Sequence, residues 1–376
     1  MNTTQRFLCH FCFVLALPSV TQASEPVELM ATLDPHAQYY QLMMSVKESG
    51  HHGLFVVDTG STGIRGSAHF FGLTDQEKTS ACVKTGYSSS GYSYAGYRVK
   101  RTISLHSPNG NMVSVPNIPV MAVVQSCKKG VTAECGVETA PNGCTNTPHV
   151  SMMGVGFQTY AQAKQSPVSP KNAFLNIAQM AAGTLPRTYL AGPAVANGLP
   201  FTLGVEAGNL PPFKSTQSFA LTGTGQGASA LVGPQGQIVI MNSKTGEVLY
   251  PAEGGLPTRL LPDTGIGYGI VSVLENKAPC CVDTAVKCRS SKNTFPPDTT
   301  VLFYGSQTAP SALTSIDYTS NARGTGQCLR WSLQGKPRNP KKPTKTPLFN
   351  SGKAFFGKCA LLYAPENNTM QIGCNP

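Results

Sequence analysis

The sequence predicts an all-β protein built from two lobes. The chain has 376 residues, more than one hydrophobic core usually accommodates. Gly and Pro are frequent, with 38 and 29 copies, and they separate short apolar runs, a pattern typical of strands joined by turns. The tripeptide Asp-Thr-Gly occurs at Asp58 and again at Asp263, about half a chain apart and each time after apolar residues. These observations predict two similar β-rich halves.

Residues 1–23 have the pattern of a signal peptide. Arg6 precedes an apolar run from Phe7 to Leu17, Pro18 ends the run, and Thr21-Gln22-Ala23 resembles a small-residue cleavage site. The run is too short to cross a bilayer, and no later stretch is long and apolar enough to do so. A retained buried helix is the alternative interpretation. We expect an exported protein, periplasmic or secreted, without a membrane span.

Cysteine usage agrees with export. Cys9 and Cys12 lie in the signal segment, and ten cysteines remain: Cys82, Cys127, Cys135, Cys144, Cys280, Cys281, Cys288, Cys328, Cys359 and Cys374. An even count suits an oxidising compartment, and the division into four and six lets each half close its own bridges. Spacing leaves the pairing open. The one Cys-x-x-Cys pair is in the signal segment, so we expect no metal site and no cofactor.

The charge balance is basic without indicating a nucleic-acid partner. Without Arg6, 28 basic residues face 18 acidic ones, a net charge of +10. A basic protein can meet nucleic acid or an anionic envelope. The densest basic run comprises Lys336, Arg338, Lys341, Lys342 and Lys345, interleaved with prolines and without aromatic residues. This composition favours a solvated surface loop.

Several elements can be placed along the chain. Strands are predicted at Tyr40–Val46 and Leu54–Val57, with further β-like runs at Arg98–Leu105 and Val120–Val124. One helix is predicted, because Ser169 is a suitable N-cap, Pro170 fits the first turn and Gly183 ends an apolar face made by Phe174, Ile177, Ala178 and Ala181. The Gly- and Pro-rich stretch from Gly204 to Pro212 predicts the lobe boundary, with an N-terminal lobe over 24–207 and a C-terminal lobe over 208–376.

Two Asp-Thr-Gly turns on equivalent lobes permit a particular chemistry. One such turn alone is only a tight turn after a strand. Two of them can bring Asp58 and Asp263 within about 3 Å, where both carboxylates cannot ionise together. One then acts as a base and the other as an acid toward a shared water. The titration belongs to the pair, so this reasoning does not assign either role to one residue.

The motifs resemble those of pepsin-like aspartic peptidases. Phe55–Thr62, with Asp58-Thr59-Gly60-Ser61, is similar to the first active-site motif, and Leu260–Gly265 is similar to the second. Ser151–Gly156 resembles the apolar-apolar-Gly strand that frames the first aspartate. Other landmarks agree in order, at Tyr40–Val46, Phe201–Gly204, Ala360–Tyr363 and Met370–Gly373. The short form from Asp58 to Arg65 resembles bacterial secreted relatives.

The resemblance implies a two-lobed pepsin-like double β-barrel with a central cleft, and it assigns residue roles. Asp58 and Asp263 would be the catalytic pair. Thr59 and Thr264 would interlock the two turns, Gly60 and Gly265 would complete them, and Ser61 would hydrogen-bond the outer oxygen of Asp58. The implied substrate is an extended polypeptide with apolar side chains beside the scissile bond. We expect a monomer.

The resemblance also implies a hairpin flap that bears a tyrosine. The segment from Gly86 to Tyr97 is rich in Gly, Ser and Tyr, which permits movement and offers rings with hydroxyl groups. Counting back from Thr102-Ile103 favours Tyr87 as the flap tyrosine, with Tyr92 next, and Gly91 is expected to belong to the same flap. The alternative is an exposed hairpin without a role.

The second half departs from the family pattern. Ile266 stands where the family has Ser or Thr, which predicts that Asp263 lacks its outer hydrogen bond. Pro262 removes a backbone donor from an expected internal strand. Leu348-Phe349-Asn350 is the nearest match to the second apolar-apolar-Gly, with Gly352 displaced.

Three functions follow from these observations. The leading one is a secreted aspartic endopeptidase. The alternative, favoured by Ile266 and Pro262, is a catalytically weak or inactive pepsin-fold binding or inhibitor protein of the cell envelope. A structural envelope protein with a coincidental repeat is the third. A dinucleotide-binding loop at Gly223–Gly227 is disfavoured by its glycine spacing, and no Gly-x-Ser-x-Gly elbow indicates a serine hydrolase.

Overall fold

The structure is a computed structural model that describes most of the chain after residue 23. The described residues are 24–36, 39–86, 91–128, 130–157, 171–221, 233–250, 255–273, 295–296, 298–305, 311–319, 329–333 and 347–375. The predicted signal segment and the basic run at 336–345 lie outside them.

Strands make up most of this part of the chain. They are β1 Val27–Leu33, β2 Tyr40–Val46, β3 His52–Asp58, β4 Thr62–Ser67, β5 Val83–Gly86, β6 Ser93–His106, β7 Met112–Cys127, β8 Cys144–Thr145, β9 Ser151–Val155, β10 Tyr189–Ala191, β11 Gly198–Leu203, β12 Ser215–Ala220, β13 Gln235–Asn242, β14 Val248–Tyr250, β15 Leu256–Pro262, β16 Gly269–Val273, β17 Thr299–Tyr304, β18 Thr314–Tyr318, β19 Leu329–Leu333, β20 Leu348–Gly352, β21 Cys359–Ala364 and β22 Thr369–Cys374. Short 3-10 helices lie at Glu77–Thr79, Ala173–Leu175 and Lys353–Gly357, and α1 is Ala178–Ala181.

The first half forms a closed barrel. Strands β2, β3, β9, β4, β7 and β6 hydrogen-bond in that order, and β6 pairs back with β2. β2 shows how the sequence specifies this arrangement, because its seven residues alternate between buried and half-buried positions. The apolar face so formed points into the barrel, where Leu42 and Met44 join the core.

The second half repeats the strand arrangement around its own Asp-Thr-Gly. β15 runs parallel to β20 as β3 does to β9, and β16 runs antiparallel to β20 as β4 does to β9. β16 is also parallel to β19, as β4 is to β7. These strands belong to an eight-stranded sheet in the order β18, β17, β13, β15, β20, β16, β19, with β14 paired to β13. The internal repeat therefore extends from a tripeptide to a topology.

One sheet joins the two halves. β12, β22 and β21 from the second half continue through β10, β11 and β1 from the first. The seam is antiparallel, with Tyr189 of β10 opposite Tyr363 of β21. Both rings are buried, and Phe157 lies against them, 5.3 Å from the Tyr363 ring and 6.4 Å from the Tyr189 ring. The predicted boundary between 207 and 208 falls in the connection from β11 to β12, and it stays a prediction.

Three disulfides are present in the described residues. Cys82 bonds Cys135 and Cys127 bonds Cys144 in the first half, while Cys359 bonds Cys374 in the second. The prediction that the protein forms disulfides is confirmed, and these three each stay within one half. Cys280, Cys281, Cys288 and Cys328 lie outside the described residues.

Over its described residues, 171–183, the helix predicted from Ser169 to Gly183 is wrong as a continuous element, and its predicted first residues Ser169 and Pro170 lie outside the described part of the chain. A 3-10 helix covers Ala173–Leu175, and the four residues of α1 follow after a break. Asn172 begins the first piece by accepting a hydrogen bond from the Phe174 amide at 2.9 Å. Asn176 then has φ −126° and ψ 24°, away from helical values, so the apolar face is divided between two short turns. No helix in the described part of the chain is long and apolar enough to span a bilayer.

A buried arginine anchors the loop after β4. The Arg101 guanidinium donates to both carboxylate oxygens of Glu77 at 2.8 Å and its Nε donates to the Phe71 carbonyl at 2.6 Å. The hydrogen bond from Arg101 lowers the pKa of Glu77 to about 2. The pair therefore remains charged well into the acid range.

Candidate active site

The two Asp-Thr-Gly turns meet at the junction of the halves. Asp58 ends β3 and Asp263 directly follows β15, so equivalent strands deliver the two carboxyl groups. Both aspartates are buried, with 4% and 6% of their surface exposed. In each turn the glycine amide donates to the inner oxygen, Oδ1, of its own aspartate at 2.8 Å, from Gly60 to Asp58 and from Gly265 to Asp263. The inner oxygens thus have equivalent support.

The threonines of the two turns bind each other reciprocally. The Thr59 amide donates to the Thr264 hydroxyl at 3.0 Å, and the Thr264 amide donates to the Thr59 hydroxyl at 3.0 Å. Each hydroxyl then donates to the carbonyl that precedes the opposite aspartate, at Pro262 (2.7 Å) and Val57 (2.5 Å). All four threonine groups are satisfied without water, which ties the position of each aspartate to the other half.

Each glycine of the repeat faces the aspartate of the other half. A Cβ built on Gly60 would lie 2.3 Å from the Asp263 carboxyl carbon and 2.3 Å from its Oδ2. A Cβ on Gly265 would lie 2.4 Å from Asp58 Oδ1. These distances are far below van der Waals contact, so the close approach of the two carboxyl groups requires glycine at both positions.

The outer oxygens receive donors from different places. The Ser61 hydroxyl donates to Asp58 Oδ2 from within the same turn. In the second half the Asn350 side chain on β20 donates from Nδ2 to Asp263 Oδ2 at 2.5 Å. The expectation that Ile266 leaves Asp263 without an outer hydrogen bond is therefore wrong. A neighbouring strand supplies the donor that residue 266 lacks.

Pro262 does not interrupt the sheet. The register between β15 and β20 shifts between Leu261 and Pro262, so that Leu261 lies opposite Asn350 and Pro262 opposite Gly352. A bulge is a position where a strand tolerates proline. The Pro262 carbonyl accepts the Thr59 hydroxyl, so this residue contributes an acceptor to the contact between the halves.

The electrostatics of the two carboxyl groups favour a proton on Asp263. Burial raises the pKa of Asp263 well above its ordinary value, and the charge of Asp58 and a hydrogen bond between the two carboxyl groups raise it further. The donors Asn350 and Gly265 act in the opposite direction on this pKa. Two carboxyl groups in contact, one holding a proton, can act on a water molecule as a base and on a carbonyl oxygen as an acid.

The predicted flap is described only in part. β5 pairs with β6 from Val83 opposite Gly96 to Gly86 opposite Ser93, which forms the hairpin stem. Tyr87 lies outside the described residues. Gly91 has φ +74°, a conformation suited to a turn, and Tyr92 is 41% exposed with its ring 6.4 Å from that of Tyr94. The roles of Tyr87, Gly91 and Tyr92 stay predictions.

Sequence reasoning missed Asn350. The sequence places its segment, Leu348-Phe349-Asn350, on the framing strand, but as an imperfect match in which Asn350 has no role. A signal for its role is the polar amide directly after two apolar residues of a buried strand, because a buried amide requires a hydrogen-bond partner.

In the described residues no group of three or more His, Cys, Asp or Glu side chains is arranged to hold a metal ion.

Comparison with known proteins identifies the fold of the chain. The sequence matches no family model and no curated protein. The structure is similar to the crystal structure of an aspartic proteinase from Irpex lacteus, with a TM-score of 0.52 and 13% sequence identity over 93% of this chain and 97% of that chain. This fungal structure leaves the resemblance to bacterial secreted relatives a prediction. The predicted fold class is confirmed: the chain has the all-β, two-lobed fold of the pepsin-like aspartic proteinases.

Proposed function

We propose that this protein is an exported aspartic endopeptidase in which Asp58 and Asp263 activate water against a peptide bond. The observation that carries the proposal is the packing of each buried carboxyl group against the glycine of the opposite turn. The reciprocal threonine bonds support it, because a structural turn alone does not need them.

The proposed reaction needs one proton in the pair. Asp58, as the carboxylate, accepts a proton from water while the water oxygen bonds to the peptide carbonyl carbon. Asp263, as the carboxylic acid, gives its proton to the carbonyl oxygen, so the tetrahedral intermediate is neutral. Asp58 then gives its proton to the amide nitrogen, Asp263 takes a proton back from one hydroxyl of the intermediate, and the carbon–nitrogen bond breaks to leave a carboxylic acid and an amine. No covalent enzyme intermediate forms.

Export and an extended polypeptide substrate belong to the same proposal. Three disulfides suit an oxidising compartment, which supports a periplasmic or secreted location. The Tyr-rich hairpin of β5 and β6 is the proposed cover over bound substrate, with Tyr87, Gly91 and Tyr92 near its tip. The proposed enzyme acts as a monomer.

The alternative of a pepsin-fold binding protein without catalysis derived its support from Ile266 and Pro262. The Asn350 side chain supplies the donor that Ile266 lacks, and the register shift at Pro262 keeps β15 paired with β20 despite the missing backbone donor. We therefore favour the enzyme.

The test is cleavage of a peptide library by purified protein from pH 3 to 7, with and without a statine-type inhibitor. Asp58→Asn and Asp263→Asn should each lower kcat/KM by at least about 10³-fold, because each removes one partner of the proton exchange. Asp75→Asn, at a surface aspartate whose side chain is 97% exposed, is the matched control and should cleave normally. Undiminished cleavage by either dyad variant would refute this mechanism. Tight inhibitor binding without cleavage by the wild type would favour the binding protein.

A further inference from the structure

Asn350 uses both ends of its amide. Nδ2 donates to Asp263 Oδ2 at 2.5 Å, and Oδ1 accepts the Gly352 amide at 2.9 Å. The residue is 8% exposed. Because a flipped amide would break both bonds, this arrangement fixes the nitrogen toward the carboxyl group.

The two halves differ in the framing strand beside the aspartate, which is β9 in the first half and β20 in the second. In the first half Gly154 lies opposite Asp58, and a Cβ there would lie 2.7 Å from the Ser61 carbonyl. In the second half Gly352 permits the close approach, since a Cβ there would lie 2.4 Å from the Tyr268 carbonyl. The bulge thereby leaves position 350 open to a side chain that points at Asp263.

We propose that Asn350 is a positioning residue for Asp263 that replaces the hydroxyl donor missing at Ile266. The proposal rests on the proposed peptidase function. A neutral donor holds the outer oxygen in place without adding a charge to the pair. It also stabilises the ionised form of Asp263, which burial destabilises, so that Asp263 can release and regain its proton. In the described part of the chain, the charged group that acts on Asp263 is Asp58.

The first experiment compares Asn350→Ala with Asn172→Ala. Asn172 is a matched control, because it is 5% exposed and also uses its amide both ways, toward the Val155 carbonyl at 2.7 Å and the Phe174 amide at 2.9 Å. Both variants should lower the melting temperature. Only Asn350→Ala should move the basic limb of the kcat/KM profile to higher pH and lower kcat by about 10-fold or more.

A rescue separates positioning from packing. Ile266→Thr added to Asn350→Ala places a hydroxyl in the turn, and it should return the basic limb toward its wild-type position. Asn350→Leu keeps the side-chain volume without a donor, and it serves if the alanine variant does not fold. A pH profile that is unchanged in the alanine and leucine variants would overturn the proposal.

A second readout does not depend on turnover. The Asp263 carboxyl can be titrated by carbon NMR in wild type and in Asn350→Ala, where loss of the donor should raise its pKa. A wild type that cleaves no peptide refutes the proposed function, whereas an unshifted titration refutes the role of Asn350.

Discussion

The first and second Asp-Thr-Gly turns share the same set of contacts and differ in one donor. In both, the glycine amide supports the inner oxygen at the same distance and the threonine binds the opposite turn. The outer oxygen of Asp58 is served by Ser61, two residues beyond Thr59, and that of Asp263 by Asn350 from another strand. The comparison teaches that the repeat preserves the contact each aspartate needs, while the residue that makes the contact can move to a different element.

Substitution of the two glycines should have the largest effect on the contacts that the two turns share. Gly60→Ala and Gly265→Ala each place a methyl group within 2.4 Å of the opposite carboxyl, so the carboxyl groups must separate. We expect each change to lower kcat/KM by about 10²-fold or more and to destabilise the protein by about 1–3 kcal/mol. Peptide cleavage and thermal unfolding measure the two effects. Gly357→Ala, where a Cβ meets nothing within 4 Å and the backbone is not in the left-handed region, should leave kcat/KM unchanged. Normal activity in either active-site variant would show that the turns are not in tight contact.

The threonines test whether the two halves contribute equally. Thr59→Val and Thr264→Val keep the shape but leave a buried amide and a buried carbonyl without partners. Each should lower the free energy of unfolding by about 1–3 kcal/mol, because the unsatisfied groups are desolvated. Chemical denaturation of both variants measures this. The symmetric bonds predict similar losses, and a large difference would mean that one turn depends less on the interlock.

The pH dependence of stability tests the asymmetry in ionisation. The pKa of Asp263 is raised in the folded protein, so the folded state keeps a proton that the unfolded chain releases above about pH 3.8. Stability should therefore fall as pH rises from the unfolded pKa toward the folded one, with a slope of up to about 1.4 kcal/mol per pH unit. Asp263→Asn removes this slope, and Asp75→Asn should retain it. Melting temperatures at pH 3.5, 5 and 7 measure the slopes, and identical slopes for wild type and Asp263→Asn would contradict the raised pKa.

The smallest expected effect is that of Ile266→Thr in the wild-type background. Asp263 already accepts an outer hydrogen bond from Asn350, so a second donor from residue 266 has little left to supply. We expect kcat/KM within about 2-fold of wild type and an unchanged pH profile. A clear gain in activity would mean that Asn350 does not serve Asp263 in solution.

The sequence predicts the contacts of Asp58 better than those of Asp263. Asp58 and Ser61 are three residues apart in one turn, so their hydrogen bond can be anticipated from a local motif. Asn350 is 87 residues from Asp263, and the two meet only because β20 pairs with β15 and a bulge shifts the register at Pro262. That shift depends on tertiary packing, which local patterns do not encode. The predicted helix ending at Gly183 failed similarly, since Asn172 and Asn176 divide it through side-chain and backbone contacts.

The sheet that runs from β12 to β1 has a consequence for biosynthesis. The first half is synthesised before Asn350 and β21, and until β21 is made the edge of β10 where it pairs has no partner strand. A partly synthesised chain therefore carries Asp58 without Asp263, so the proposed dyad cannot form before the second half is made.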